Sequence, residues 1–364
     1  MAVTQTYRLS VDSLTNAASH LCKYGDTDVF PHLVELLFLS EQKSAVIDEL
    51  KELDLDQYSP GNAFEALAPK SRFGFRIAHQ LPFVDTILLL AAVIEIGDLI
   101  EAHRPSAGGI EAFSYRFQTD FHGGIFRNDH TFKDWLAAQH NLLNANGTFT
   151  TIISTDISDF YSRINFHRLD NLLDEVAPKH GASRYIIKHI KAIRAKQSFG
   201  LPVGGAAARL LAELALSDTD RALQQEGLSA TRFVDDFRIF LGEQESPYDA
   251  LALLARHLGL NEGLSLNVAK TRVQERNEYL LLLDNQITDV GSDAEGKALD
   301  ALTSQLYTQE EPDPEELEKL KTMNLLGLLA NEIDQDSLDM GRIKVIFRAL
   351  KLTKTTGTID YLIQ

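Results

Sequence analysis

The stretch Thr-Asp-Ile-Ser-Asp-Phe-Tyr at residues 155–161 decides the fold together with Phe-Val-Asp-Asp at residues 233–236. In each stretch an aspartate follows an apolar, β-branched run, which is how a strand delivers a carboxylate to its end. Residues 149–155 predict a strand with Asp156 at its exit. The second stretch predicts a hairpin over residues 231–241 with both of its aspartates at or near the turn. We therefore expect folding to bring the aspartates of the two stretches together.

Carboxylates held close together predict a metal site. Such groups repel each other strongly, so a fold that pairs Asp156 with Asp235 usually does so to hold divalent metal. In phosphoryl transfer, two metals roughly 3.5–4 Å apart activate the attacking 3′ hydroxyl and stabilise the leaving oxygens. We expect two Mg²⁺ ions, with Mn²⁺ as the alternative, and a supporting place for Asp236. The predicted catalytic residues are Asp156, Asp235 and Asp236, and the predicted metal ligands are these three with Ile157.

A third motif, Gly-Leu-Pro-Val-Gly at residues 200–204, lies between the other two. Its glycines allow a close backbone approach, and Pro202 stiffens the loop. A helix over residues 206–224 would begin here, and the small residues at 206–208 would leave room for a template base or primer, unless they simply pack. An isolated Asp-Asp pair is most often a solvated turn. The three motifs in this order instead predict the palm of a nucleotidyl-transferring polymerase.

With these motifs the chain resembles a reverse transcriptase over roughly residues 60–285. That family has an aspartate followed five residues later by an aromatic, here Asp156 and Tyr161, then Gly-Leu-Pro-x-Gly, then an aromatic, one residue and Asp-Asp. The resemblance is closest to bacterial defence-associated and abortive-infection reverse transcriptases. That narrower likeness rests on Ser-Tyr-Arg-Phe at 114–117, on the continuation from Arg209 to Glu213, and on an N-terminal helical extension.

The resemblance implies an α+β fold with the fingers and palm of a right-hand polymerase. The palm would be a ferredoxin-like or RRM-like antiparallel sheet with helices, flanked by N-terminal and C-terminal helical regions. We expect an N-terminal helical extension over 1–60, fingers over 61–148, a catalytic palm over 149–285 and a helical region over 286–364. The last region is expected to be thumb-like or a shortened helical repeat.

Further segments resemble the motifs with which the family grips an incoming nucleotide. Two of them, Pro-Lys-Ser-Arg-Phe-Gly-Phe-Arg at 69–76 and Phe-Ser-Tyr-Arg-Phe at 113–117, resemble motifs of the fingers. The third, Leu-Asn-Val-Ala-Lys-Thr at 266–271, resembles the lysine-bearing motif of the palm. Tyr161 would stack beneath the sugar and exclude a 2′ hydroxyl, which predicts a preference for dNTPs, unless it is an aromatic core residue. The predicted nucleotide-binding residues are Lys70, Arg72, Arg76, Arg116, Phe160, Tyr161, Gly204 and Lys270.

Charge is distributed unevenly along the 364 residues, whose formal net charge is −17. Residues 1–60 carry 4 basic against 10 acidic side chains, and residues 281–364 carry 8 against 16, whereas residues 176–212 carry seven basic side chains and no acid. Phosphate backbones need such a basic track, although it could also be a solvated helix face. The acidic ends favour a dedicated RNA or DNA partner over general affinity. The predicted nucleic-acid-binding residues are Lys188, Lys191, Arg194, Lys196 and Arg209.

Composition narrows the class of protein. A chain with 44% hydrophobic residues can bury a sizeable core. Its one cysteine, Cys22, excludes an internal disulfide framework and favours the cytoplasm. The apolar stretch over residues 83–100 is interrupted by acidic side chains, so we expect no membrane span. A homo-oligomer or a second protein subunit is left open, as is the role of the basic, amphipathic stretch over residues 342–354.

Two departures from the family pattern limit what the resemblance implies. Many relatives carry a hydroxyl before the arginine of the third motif, where this chain has Ala208 before Arg209, and this puts a substrate hydrogen bond in doubt. Abortive-infection relatives usually follow the palm with a long helical-repeat domain, and only about 80 residues follow it here.

The preferred hypothesis is an RNA-directed DNA polymerase that adds dNTPs to a 3′ hydroxyl and serves antiphage defence, copying an RNA template that could be a dedicated noncoding RNA. The first alternative is a template-independent or protein-primed DNA polymerase of the abortive-infection type. The second is a catalytically silent, nucleic-acid-binding scaffold, against which the intact aspartates argue. Phe-Val-Asp-Asp in place of Gly-Asp-Asp disfavours an RNA-copying RNA polymerase, and the Gly-Gly-Asp/Glu-Glu-Phe hairpin of cyclic-dinucleotide synthases is absent.

Overall fold

A computed structural model describes most of the chain. The described residues are 6–27, 30, 33–71, 74–105, 111–120, 122–193, 197–292, 318, 320–333, 343, 346–347, 349–350 and 353. The chain divides into two compact units, the first formed by residues 1–64 and 79–287 and the second by residues 65–78 and 288–364.

The first helices of this unit lie in the N-terminal region, which the sequence predicts to be helical. Polar side chains cap several of them: Ser10 accepts a hydrogen bond from the Ser13 N–H, and Thr131 and Asp134 form a capping box. The helices that start in this unit are α1 (Val11–Tyr24), α2 (Glu35–Leu50), α3 (Phe83–Glu95), α4 (Gly97–His103), α5 (Phe132–Ala145), α6 (Phe160–Arg163), α7 (Phe166–Val176), α8 (Gly181–Ile193), α9 (Ala206–Gln225), α10 (Pro247–His257) and α11 (Arg276–Ser292). A π-helical turn, Leu258–Glu262, follows α10.

Seven strands form two sheets in the described part of the chain. The strands are β1 (Phe64–Ser71), β2 (Gly74–Gln80), β3 (Glu111–Ala112), β4 (Phe149–Asp156), β5 (Ala230–Phe233), β6 (Asp236–Gly242) and β7 (Arg272–Glu275). The first two form a two-stranded sheet, and the other five form a sheet in the order β3-β5-β6-β4-β7. Every pairing in the larger sheet is antiparallel except that of the short β3 with β5.

The central strands of the five-stranded sheet are covered on both faces, to which successive side chains alternate. On β4, Ile153 belongs to the main hydrophobic core of the unit, together with helices α1, α3, α8 and α9. Its neighbour Ile152 points to the other face, where it joins Trp135 of α5 and Phe240 of β6 in a second cluster. Because both faces are buried, the strands are rigid supports for the residues at their ends.

The structure confirms the α+β fold with an antiparallel sheet. The predicted strand over 149–155 is β4, the predicted hairpin over 231–241 is β5 and β6, and the predicted helix over 206–224 is α9. In the second unit, helix α12 (Leu325–Ile333) packs through Leu325 and Leu329 into a small cluster of its own. The basic stretch over residues 342–354 lies mostly outside the described residues. Among the helices that can be described, none combines the length and apolar character that a membrane crossing requires.

Candidate active site

Strand pairing places the predicted catalytic aspartates side by side. Asp156, the last residue of β4, lies opposite Asp236, the first residue of β6, in the register of the two strands. The next N–H along the chain, that of Ile157, donates to the carbonyl of Asp235 at 3.1 Å. β5 and β6 are joined by Val234 and Asp235 alone, since Phe233 pairs with Asp236. The sequence prediction that folding brings Asp156 and Asp235 together is therefore confirmed.

The tight turn between β5 and β6 holds its first residue in a left-handed conformation. Val234 has φ +57°, and a β-branched residue there costs about 1–3 kcal/mol. Both polar backbone groups of Val234 are held: its N–H donates to Ser114 Oγ at 2.7 Å, and its carbonyl accepts from Arg232 Nη1 at 2.6 Å. These bonds stabilise the turn that presents Asp235.

The carboxylates crowd one another electrostatically. Burial raises the pKa of Asp235 to about 6, and the charges of Asp236 and Asp156 add to the shift. Burial also raises the pKa of Asp236. Lys270 donates from Nζ to Asp156 Oδ2 at 2.6 Å, and this hydrogen bond raises the pKa of Lys270. Among the described residues, Lys270 and Arg238 therefore balance only part of the charge of the three carboxylates.

The donor set fits a divalent cation. Asp156 is 4% exposed, and its Oδ1 has no hydrogen-bond partner among the described residues. A cation placed between Asp156 and Asp235 would satisfy this oxygen and relieve their repulsion. No group of three or more His, Cys, Asp or Glu side chains is arranged to hold a metal in the described part of the chain. Backbone oxygen, water or substrate phosphate would therefore complete the shell, as is usual for Mg²⁺.

The Gly-Leu-Pro-Val-Gly loop is joined directly to the segment that follows Asp156. The Leu201 N–H donates to the carbonyl of Tyr161 at 2.8 Å, and the Gly200 N–H donates to that of Ile164 at 2.9 Å. Gly200 and Gly204 have φ values of +99° and +114°, which other residues rarely adopt. Tyr161, predicted to contact the sugar, thus sits between the aspartates and this loop.

Comparison with known proteins decides the family. The family model described as "Reverse transcriptase (RNA-dependent DNA polymerase)" matches residues 110–325, more than half of the chain. The chain belongs to the reverse transcriptase family. A reverse transcriptase domain is that of a nucleotidyltransferase, an RNA-directed DNA polymerase, and such enzymes use divalent metal ions.

Solved structures similar to this chain include two of apo telomerase from Candida tropicalis. One, truncated from the C-terminal domain, is 15% identical with a TM-score of 0.39, and the match covers 59% of this chain and 50% of that one. The other is 12% identical with a TM-score of 0.47 and covers 87% and 63% respectively. The chain thus spans between half and two thirds of the length of these structures. Among curated proteins none matches it.

The predicted nucleotide-binding residues of the chain lie in different environments. Lys270 is at the carboxylates, and Tyr161 is half-buried. The ring of Phe160 is buried in the core, so the backbone is the part of this residue that could reach a ligand. Arg116 is buried, ion-paired to Glu101 at 3.1 Å and bonded to the carbonyl of residue 105 at 2.7 Å. Nucleotide contact by Arg116 would require breaking these bonds.

Three more of the predicted nucleotide-binding residues come from the segment over residues 69–76. Arg76 belongs to the second unit. Arg72 and the side chain of Lys70 lie outside the described residues. Their contact with a nucleotide therefore stays a prediction.

Several basic side chains of the track over residues 176–212 contact other residues of the same chain. Lys188 donates to the carbonyls of Leu55 and Asp56 at 3.3 and 2.8 Å, which tie α8 to the N-terminal region. Lys191 pairs with Asp170 at 3.1 Å and is about half exposed. Arg209 lies 5.1 Å from the ring centre of Tyr115. Arg194 and Lys196 lie outside the described residues.

Two of the three small residues that open α9 are packed inside the protein. Ala207 and Ala208 are buried. With Pro202 and Val203 they line a cavity of about 30 Å³. Leu89 and Leu90 of α3 line the same cavity, which agrees with the packing alternative, and room for a template base or primer stays a prediction.

A buried network of charged residues lies behind the turn between β5 and β6, and it was not predicted from the sequence. Its four charged side chains are fully buried, and they balance as two arginines against two carboxylates. Arg232 donates from Nε and Nη2 to Asp220 at 2.9 and 2.5 Å and from Nη2 to Glu213 at 3.0 Å. Arg104 donates from Nη2 to the same Glu213 oxygen at 2.8 Å. An arginine inside the predicted strand was the one available signal.

Arg232 holds the network together, so its loss should be severe. Burial lowers the pKa of Arg232, but the carboxylates of Asp220 and Glu213 outweigh this effect and raise it above its ordinary value. Arg232→Met should lower the free energy of unfolding by about 3–5 kcal/mol, because Asp220 would stay buried without its arginine and Glu213 would keep only Arg104 of its two arginines. Urea unfolding followed by circular dichroism measures this. The exposed Arg256→Met is the control, and a loss for Arg232→Met as small as for the control would contradict the account.

Proposed function

We propose that the protein is a magnesium-dependent RNA-directed DNA polymerase that adds dNTPs to a 3′ hydroxyl. The observation that carries the proposal is the pairing of Asp156 with the Asp235 turn at the ends of adjacent strands, with one buried Asp156 oxygen free of any hydrogen bond to the described residues. Membership of the reverse transcriptase family gives the reaction class. The whole activity, its substrates and its partners belong to this proposal.

Each residue of the site has a chemical task in the proposed reaction. Asp156 and Asp235, with the carbonyl of Ile157, would hold Mg²⁺, which supplies Lewis acidity to the attacking and leaving oxygens. Asp236 supports the site from β6, where Arg238 lies 3.8 Å from its carboxylate. Lys270 keeps its proton at Nζ and brings positive charge to the triphosphate. Tyr161 lies beneath the sugar and excludes a 2′ hydroxyl.

Divalent metal should stabilise the protein at neutral pH. An ion bound by Asp156 and Asp235 in the folded state alone raises the thermal midpoint by about 2–4 °C per kcal/mol of binding free energy. Differential scanning fluorimetry with Mg²⁺ or Mn²⁺ against EDTA measures the shift. The double variant Asp156→Asn, Asp235→Asn should show none. An equal shift in the parent and the double variant would place the ion elsewhere.

The template is the next element to test. We expect extension of a DNA primer on RNA, and a matched DNA template of the same sequence measures how far RNA is preferred. Extension on RNA that requires Mg²⁺ and disappears in the double variant Asp235→Ala, Asp236→Ala supports the proposal. Synthesis without any template, or a product covalently attached to the protein, would instead favour the untemplated or protein-primed alternative. A parent protein inactive under all these conditions would favour the silent scaffold.

A role in antiphage defence, with a dedicated noncoding RNA as template, is the finer part of the proposal. It is supported by the likeness of the Ser-Tyr-Arg-Phe block and the Arg209 to Glu213 continuation to defence-associated enzymes. Fingers over 61–148, a palm over 149–285 and a cytoplasmic location complete it. Phage challenge of cells carrying the parent or the Asp235→Ala, Asp236→Ala variant tests the role. Undiminished protection by the variant would show that polymerisation is not needed.

A further inference from the structure

The turn that carries Asp235 is clamped from outside its own hairpin. The strained Val234 donates its N–H to Ser114 Oγ, which lies 120 residues earlier in the chain. Ser114 is completely buried, so this bond has no competition from solvent. We call this bond between the Val234 N–H and Ser114 Oγ the clamp, and it belongs to the buried interior of the fold.

One carboxylate connects the clamp with the arginine that binds the carbonyl of Val234. Glu213 of α9 accepts from Ser114 Oγ through Oε1 at 2.5 Å and from Arg232 Nη2 through Oε2 at 3.0 Å. Ser114 and Arg232 are the two residues that bind the N–H and the carbonyl of Val234. A displacement of Glu213 would loosen both bonds at once.

Asp220 is the residue with which Glu213 can be compared, because it is an acid with a purely structural place in the same network. It is as buried as Glu213 and binds the same Arg232. Among the described contacts it reaches the turn through Arg232 alone, whereas Glu213 also reaches it through Ser114. Comparing substitutions of the two acids therefore distinguishes an effect on the fold from an effect on the turn.

We propose that Glu213, acting through Ser114, is a positioning residue for the polymerase reaction and holds Asp235 in the place where it faces Asp156. Glu213 touches neither substrate nor reacting atoms. Since a β-branched residue resists the left-handed conformation, a turn that loses the clamp relaxes and carries Asp235 with it. The inference rests on the proposed function, because it assigns Glu213 to the same site.

Ser114→Ala is the cleanest test because it removes one hydroxyl and no charge. Its matched control is Ser217→Ala on α9, an equally buried serine whose hydroxyl donates to the carbonyl of Leu214. We expect Ser114→Ala to speed hydrogen exchange of the peptide spanning residues 232–236 at least about tenfold, the scale of one lost buried hydrogen bond. Mn²⁺ affinity, measured by electron paramagnetic resonance on the full chain, should fall about fivefold or more. Ser217→Ala should leave both unchanged.

Kinetics separate positioning from general damage. With primed RNA, Ser114→Ala and Glu213→Gln should lower kcat more than tenfold and leave KM for the primed template within about twofold, because both side chains are fully buried, away from any template. Asp220→Asn should match Glu213→Gln in thermal midpoint and retain more of kcat. If Glu213→Gln does not fold, Ser114→Ala alone decides the matter.

The outcomes distinguish the inference from the proposed function. Equal exchange at residues 232–236, or equal Mn²⁺ affinity, in Ser114→Ala and Ser217→Ala would overturn the inference even if the parent protein synthesises DNA. A parent protein that neither binds Mn²⁺ nor incorporates dNTPs would overturn the proposed function, and the positioning role with it, while the exchange measurement would still report on the clamp itself.

Discussion

Asp235→Asn should lower the rate of dNTP incorporation at least about a thousandfold and at the same time raise the thermal midpoint of the metal-free protein. The rate falls because a neutral amide binds Mg²⁺ far more weakly than a carboxylate. Three orders of magnitude correspond to about 4 kcal/mol of transition-state stabilisation, within the range that a metal supplies. Single-turnover incorporation measures this loss.

The gain in stability follows from the charge crowding at the site. Burial and the neighbouring carboxylates raise the pKa of Asp235 to about 6 in the folded protein, above its value of 3.8 in the unfolded chain. The ionised group therefore destabilises the fold above pH 6, and this penalty disappears as the pH falls toward 3.8. Thermal scans in EDTA at pH 7.5 and pH 5 should show a larger gain for Asp235→Asn at the higher pH.

Asp236→Asn is the matched control for the first prediction. Asp236 lies beside Asp235 and is 45% exposed at its side chain, with Arg238 nearby. We expect a loss of about 10–100-fold, because this residue supports the site without bridging the metals. Equal losses in Asp235→Asn and Asp236→Asn would contradict the roles assigned to the two aspartates.

Tyr161→Ala should raise the incorporation of ribonucleotides relative to deoxynucleotides by roughly 10–200-fold. This is the range over which a change in the size of a pocket alters discrimination between related substrates. The ring is held in place, since the Tyr161 carbonyl accepts from Leu201 and the ring packs 5.4 Å from that of Phe160. Removing it would leave room for a 2′ hydroxyl.

Competition between ATP and dATP at one template position measures the discrimination directly. Tyr161→Phe keeps the ring and loses the hydroxyl, so it should select sugars as the parent does. Loss of selectivity in Tyr161→Phe would mean that the hydroxyl, not the ring, excludes the ribonucleotide. Unchanged selectivity in Tyr161→Ala would show that Tyr161 is a packing residue.

Local patterns made the central part of this site predictable. The apolar run before Asp156 and the two runs flanking Asp235 predict a strand and a hairpin, and strand pairing then leaves few places for the aspartates. The role of the glycines in the loop over residues 200–204 was equally predictable, and two of them take left-handed conformations. Periodicity and turn chemistry act over a few residues, and these features depend on little else.

Contacts between distant residues could not be read in the same way. The basic run over 176–212 predicts a phosphate track, yet Lys188 is bound by carbonyls more than 130 residues away. Glu213 has the appearance of a surface charge on a helix, and its burial depends on Arg104 and Ser114 from another part of the chain. Charged residues that neutralise each other inside the fold leave no periodic signal.

The most direct test of the account is incorporation of labelled dNTPs by the purified protein with Mg²⁺, before and after RNase treatment of co-purifying nucleic acid. The double variant Asp235→Ala, Asp236→Ala is the control. We predict synthesis that RNase removes and that the variant lacks, which would make sequencing of the bound RNA the next step. Synthesis that persists in the variant would contradict the assignment of the active site, and variant-sensitive synthesis that survives RNase would contradict copying of a bound RNA.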